Sequence, residues 1–194
     1  MIYINDQLEL IDLEAAMARL SQQRREQVMR YKFDSLRRQS AAAYLLLCDA
    51  LEKEYGITEA PVFEYGEHGK PQLSSPLGRQ GGVPLPHFNL SHCREAAACI
   101  VARQPVGIDV ESIRRYNDSL ARYTMNDEEL RRIADAESPE VEFTRLWTQK
   151  EAVLKLIGTG LRNDMKSVLT DAPYLLETVV NTQRGYAYSV ARKG

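Results

Sequence analysis

Two short stretches place charged groups where a packed element normally shows only apolar ones. In Val106-Gly107-Ile108-Asp109-Val110-Glu111, a strand would turn Val106, Ile108 and Val110 to one face and Gly107, Asp109 and Glu111 to the other. Two carboxylates sharing a face repel, so one titrates high unless a cation sits between them. A hard divalent ion such as Mg²⁺ takes oxygen ligands of this kind. Read alone, the same pattern also describes a strand running out into solvent.

The second stretch, Trp147-Thr148-Gln149-Lys150-Glu151-Ala152-Val153-Leu154-Lys155, has helical spacing. Phe143, Leu146, Trp147, Leu154 and Ile157 define its buried stripe. Lys150 falls within that stripe, Glu151 at its edge and Lys155 one turn further on. An i,i+4 ion pair between Glu151 and Lys155 accounts for two of these charges and leaves Lys150 over. A polyphosphate site accounts for all three, with Glu151 as a metal ligand or general base and the lysines as phosphate clamps. Gly158-Thr159-Gly160-Leu161 follows as the helix stop, with Gly158 in the C-cap position.

Two smaller pieces complete the set. Phe88-Asn89-Leu90-Ser91-His92 ends a strand. Adjacent strand side chains point apart, so Ser91 and His92 are not a nucleophile–base pair; a hydroxyl and an imidazole there suit hydrogen bonding to phosphate. Glu67-His68-Gly69-Lys70-Pro71 is a loop that presents a lysine on a stiff turn, but it lacks the P-loop pattern, and no GxGxxG occurs. The three histidines have no zinc-ligand spacing.

These residues must be carried by a definite scaffold. The expected order is a strand at Met1–Ile4, an amphipathic segment at Asp12–Leu20, and a helix capped by Ser21 that runs through Tyr31. A helix over Asp34–Tyr55 closed by Gly56 follows, then strands at Val62–Tyr65, His87–Leu90, Ala96–Ala102 and Val106–Glu111. Between the first two of these strands, Gly66–Pro86 reads as a loop. Beyond them, Asn126 caps a helix with an acidic first turn. Ser138-Pro139 opens a helix to Ile157, and Tyr174–Val180 pairs with Tyr186–Val190. Strand, helices and strands thus occur twice. The expected fold class is α+β, a pseudo-dimer of halves 1–104 and 105–194 with the active site at their interface.

Bulk properties exclude other classes. The chain has 194 residues, 44% hydrophobic and 27% charged, with a formal net charge of −2, as for a globular protein without a nucleic-acid partner. Arg19, Arg24, Arg25, Arg30, Lys32, Arg37 and Arg38 against Glu26 and Asp34 make one locally basic segment, which suits a solvated face or an anion. Cys48, Cys93 and Cys99 lack disulfide-like spacing, pointing to a reducing compartment, with Cys48 and Cys99 in the core. No signal peptide is evident, and the longest apolar run, Ala41–Cys48, is far too short for a bilayer. The expectation is a cytoplasmic protein with no membrane partner.

Together, Gly69-Lys70-Pro71, Phe88-Asn89-Leu90-Ser91-His92, Gly107-Ile108-Asp109-Val110-Glu111, and the Trp147–Lys155 helix with Gly158-Thr159-Gly160-Leu161 resemble the Sfp-type 4′-phosphopantetheinyl transferases. The resemblance covers about Arg24 to Val168. It implies transfer of the phosphopantetheine arm of coenzyme A to a serine of an apo acyl or peptidyl carrier protein, releasing 3′,5′-ADP. It also implies Mg²⁺ held by Asp109, Glu111 and Glu151, with Glu151 the candidate base for the serine, and Asp109, Glu151 and Lys155 as the catalytic group. Coenzyme A would be bound by Arg24, Ser40, Lys70, Pro71, Ser91, His92, Lys150 and Lys155. Arg24 and Ser40 fall toward the 3′-phosphate, and Lys150, Lys155 and His92 neutralise phosphate charge. The carrier would dock around Gly160–Val168, through Leu161, Arg162, Met165 and Lys166. An internal pseudo-dimer needs no second chain, so a monomer is expected. The rival readings are another Mg²⁺-dependent nucleotide phosphotransferase and a non-catalytic carrier-binding module of the same fold.

Overall fold

The structure is a computed structural model; residue 67 and residues 75–83, 160–163 and 171–172 lie outside the described residues. Two three-stranded antiparallel sheets organise the chain. Strands β1 (Ile2–Asn5), β4 (His87–His92) and β5 (Ala97–Ala102) form one in the order β1-β5-β4. Strands β6 (Val106–Ser112), β7 (Tyr174–Asn181) and β8 (Tyr186–Lys193) form the other in the order β6-β8-β7. A two-stranded hairpin of β2 (Phe63–Tyr65) and β3 (Pro71–Leu73) flanks the first.

The first sheet is covered by α3 (Asp34–Tyr55), whose alanines and leucines at helical spacing pack on Phe88, Cys99 and Val101. Gly56, at φ +67°, closes this helix with a left-handed cap that a Cβ would strain. Shorter helices α1 (Leu13–Arg19) and α2 (Gln22–Met29) begin at Asp12 and Ser21, whose side chains cap the first backbone N–H groups. The basic segment is mostly framework. Arg19 pairs with Asp49, Arg37 with Asp34, and Arg25 and Arg38 donate to the carbonyls of Leu20 and Ile11.

The second sheet is covered by a later helix over Pro139–Ile157. Before it come α4 (Asp118–Thr124), capped by Asn117, and α5 (Asp127–Asp135), whose Asn126 and Glu129 form a reciprocal capping box. The long helix, α6 (Pro139–Ile157), crosses β6 so closely that a Cβ on Gly107 would lie 2.0 Å from the Ala152 carbonyl oxygen and 2.6 Å from the Leu156 nitrogen. Only glycine fits there.

Between the sheets, Ala98 and Ile100 of β5 pack with Ile108, Val110 and Val190. Where the sheet edges β4 and β6 meet, side chains replace a backbone ladder. The Ile108 N–H donates to Asn89 Oδ1 (2.8 Å), and the Val110 N–H donates to Ser91 Oγ (3.2 Å). This satisfies buried edge donors that the sheet itself cannot pair.

Most expected elements are present within a residue or two. Three differences stand out. Pro71–Leu73, expected as loop, is a strand pairing with β2; α4 was not expected; and β8 runs on to Lys193. Cys48 is half-buried rather than core, while Cys93 and Cys99 are buried. No helix among the described residues is long and apolar enough to cross a membrane.

Candidate active site

The alternation of β6 sends Ile108 and Val110 into the core and turns Asp109 toward α6 and β4. Asp109 is only 3% exposed. Its Oδ1 accepts from Lys155 Nζ at 2.6 Å and from Ser91 Oγ at 2.9 Å, and Lys155 Nζ also donates to Ser91 Oγ at 2.9 Å. Asp109 Oδ2 is buried with no hydrogen-bond partner among the described residues. Such an atom is costly unless something positive reaches it.

Glu111 and Glu151 feel the same charge. Burial, with the Asp109 carboxylate beside it, pushes Glu111 up to about 7. Glu151 is raised by burial and then by Asp109, while Lys155 pulls both down. Among the described residues, no group of three or more His, Cys, Asp or Glu side chains is already gathered as a metal site. The donor set nevertheless fits a divalent ion in kind. It offers three hard carboxylates, two raised by burial and then by the charge of the third, and one buried oxygen without a partner.

Further basic groups come from α2, β4 and the β2–β3 hairpin. Arg24 is half-buried over the Tyr44 ring and donates through Nη2 to the Ser40 carbonyl and hydroxyl, both at 2.9 Å, and through Nη1 to Gln27. Its Nε is buried without a partner, and it has no carboxylate partner among the described residues. Burial pulls its pKa down, but a guanidinium stays charged. His92, near both Arg24 and Lys155, is pushed down to about 4 by burial and then by those two charges. Lys70 reaches across from the β2–β3 hairpin, lies against Gly158 and donates to the Leu156 carbonyl at 3.0 Å. Lys70, Pro71, Asn89, Glu151, Lys155 and Gly158 border one cavity of about 220 Å³, between the β2–β3 hairpin, β4 and α6.

Three expectations and one rival reading need correction. Lys150 does not face this cavity. It is fully buried, paired with Glu129 Oε1 at 2.9 Å and donating to the Met165 carbonyl at 2.8 Å, so it ties α6 to α5 instead of presenting charge to a phosphate. Lys155 pairs with Asp109, not with Glu151 one turn earlier. His92 is a neutral imidazole near pH 7 in this state, able to donate a hydrogen bond but not a charge. Met165 is buried and unavailable as an exposed contact, while Gly160, Leu161 and Arg162 fall outside the described residues. Ser91 sits beside Asp109, hydrogen-bonded to it and to β6.

Sequence reasoning missed Asn89 and Glu129. A polar residue inside an apolar strand was the available signal for Asn89. For Glu129 it was a capping-box glutamate on the buried side of an amphipathic helix.

A cavity bordered by Glu151, Lys155 and Lys70, with Asp109 held by Lys155 beside it, suits a metal-associated polyphosphate in its chemistry. Comparison with known proteins narrows the class. Residues 105–189 match the family model described as the 4′-phosphopantetheinyl transferase superfamily. A 4′-phosphopantetheinyl transferase of Bacillus subtilis is 27% identical over 82% of this chain and 70% of its own length. The transferase psf-1 of Bacillus pumilus is 30% identical over 76% and 62%, and HetI of Nostoc sp. is 35% identical over 77% and 64%. The chain thus spans slightly under two thirds of the latter two and slightly over two thirds of the first. The chain is thus similar to 4′-phosphopantetheinyl transferases over most of its length.

Proposed function

We propose that this protein transfers the 4′-phosphopantetheine arm of coenzyme A to a serine of an apo carrier protein, with 3′,5′-ADP as the leaving product. The observation that carries the reading is the Asp109–Ser91–Lys155 cluster, set beside Glu111 and Glu151 and opening on a cavity lined by Lys70. The two halves, 1–104 and 105–194, act as a pseudo-dimer with the site between them, and a single chain completes it. The setting is the cytoplasm.

Asp109, Glu111 and Glu151 would hold Mg²⁺, which supplies positive charge to the coenzyme A pyrophosphate when bound. The chain's own residues do the rest. Arg24, with Ser40, presents a half-buried guanidinium to a terminal phosphate. Lys70 and Lys155 flank the pyrophosphate, and His92 donates a hydrogen bond. The carrier serine Oγ forms a bond to the phosphorus bearing the pantetheine arm as the bond from that phosphorus to the bridging oxygen of 3′,5′-ADP breaks. The serine proton passes to Glu151, directly or through water. Positioning and charge neutralisation supply most of the rate in such transfers.

The surface beside Glu111 supports docking of an acidic carrier. Leu120 and Tyr123 of α4 are exposed, and Arg114 and Arg115 border a cavity of about 350 Å³ with Glu111 and Trp147.

The test is mass spectrometry of an apo carrier protein after incubation with coenzyme A and Mg²⁺. The wild type is expected to add phosphopantetheine to serine. Asp109→Ala and Glu151→Ala should each lower turnover by about 10²–10³-fold or more while retaining the fold. Near-normal turnover in either variant would overturn the site assignment.

A further inference from the structure

We propose that Lys155 is the resident counterion of the metal subsite: in the substrate-free protein its ammonium holds Asp109, and a divalent cation binds Asp109 well only when Lys155 leaves it for the substrate's phosphates. This rests on the reading of Asp109 as a metal ligand.

The geometry is a closed triangle. Lys155 Nζ lies 2.6 Å from Asp109 Oδ1 and 2.9 Å from Ser91 Oγ, and Ser91 Oγ lies 2.9 Å from the same carboxylate oxygen. Asp109 is nearly buried, so a second cation on this carboxylate would meet the ammonium across a few ångströms with little screening. Competition follows from charge and distance alone.

Lys155 is also free to move, unlike the other lysine of this motif. Its side chain is 28% exposed, and it borders the cavity shared with Lys70 and Glu151. A four-carbon stem can swing the ammonium from Asp109 into that cavity without moving α6. Phosphate oxygens there would draw it off and leave Asp109 to the metal. By linkage, whatever displaces Lys155 strengthens metal binding by the same factor that metal strengthens its own binding. The device keeps a buried carboxylate neutralised between turnovers and couples metal capture to arrival of the polyphosphate.

The test is calorimetric titration with Mg²⁺ alone, without coenzyme A. Lys155→Met should bind the ion more tightly than wild type, on the order of tenfold. Lys70→Met removes a cation from the same cavity, but one bonded to the Leu156 carbonyl, and should shift affinity much less. Asp109→Asn separates the two levels of the argument. If it leaves Mg²⁺ binding unchanged, the metal-site reading itself fails. If it abolishes binding while Lys155→Met binds no tighter than wild type, or no tighter than Lys70→Met, the role of Lys155 is overturned. Should Lys155→Met prove too unstable to titrate, thermal unfolding gives the second readout. Mg²⁺ is then expected to raise its Tm more than that of wild type, and equal rises would contradict the proposal.

Discussion

Lys150 and Lys155 leave the same helix five residues apart and end in opposite situations. Lys150 is sealed from solvent and fully engaged, by Glu129 on α5 and the Met165 carbonyl. Glu129 is itself fixed, since its other oxygen accepts the Asn126 N–H of the capping box. Every charge in that cluster has its partner. Lys155 holds a carboxylate whose second oxygen has no partner among the described residues, next to two more acids that their surroundings push toward the protonated form. One lysine closes a structural joint; the other is the movable part of an unfinished electrostatic arrangement. A satisfied buried ion pair specifies geometry, whereas an unsatisfied one beside a cavity marks where a ligand completes the balance.

The comparison can be broken most sharply on its structural side. Lys150→Met strands Glu129 and should cost about 3–5 kcal/mol in chemical unfolding, as removal of one member of a buried pair does. Its transfer rate per folded molecule should stay close to wild type. A variant with unchanged stability and lost turnover would move Lys150 back into the site.

A smaller effect is expected where the helix meets the strand. Gly107→Ala would drive a Cβ into α6 backbone 2.0 Å away, so the helix must shift, at about 1–3 kcal/mol. Because Glu151 and Lys155 ride on that helix, turnover should fall more steeply than stability. An alanine variant with full activity would show that the close approach is not needed for catalysis.

The smallest effect is in the pH dependence of the metal-free protein. Glu111 has a folded pKa near 7 against an ordinary 4.5, so the native state holds the extra proton and stability falls as pH rises across that interval. His92 runs the other way. Its folded value near 4 lies below the ordinary 6.5, so the unfolded state holds the extra proton and stability rises with pH between them. The two slopes oppose each other in wild type. Glu111→Gln should uncover a rise between about pH 4 and 6.5, and His92→Gln a decline between about pH 4.5 and 7, both measured by denaturant unfolding. Matching profiles in the two variants would remove the electrostatic account of the cluster.

Most of the scaffold was legible because local rules agreed with the tertiary outcome. Ser21, Asn126, Gly56 and Gly158 mark their helix ends by capping chemistry alone, the small apolar run Ala96–Ala102 marked β5, and alternation oriented β6. The paired face of Asp109 and Glu111 was readable for the same reason. What stayed hidden depends on partners remote in sequence. Helical spacing puts Lys150 in the buried stripe and Lys155 beyond its edge, but not their partners; those are Glu129 and Asp109, brought in by other elements. The role of Ser91 at the strand edge depends on β6, and the depressed pKa of His92 on burial and then on two cations from separate helices. The strand at Pro71–Leu73 was obscured by a glycine- and proline-rich context, and its pairing with β2 supplies order that its own composition does not.

The most direct measurement sets the wild-type protein, coenzyme A and an acidic apo carrier side by side with Mg²⁺ and with EDTA, reading the intact carrier by mass spectrometry. The account predicts a phosphopantetheine adduct on the carrier serine with Mg²⁺ and an unmodified carrier with EDTA. An unmodified carrier in both, or the same adduct in both, would contradict it.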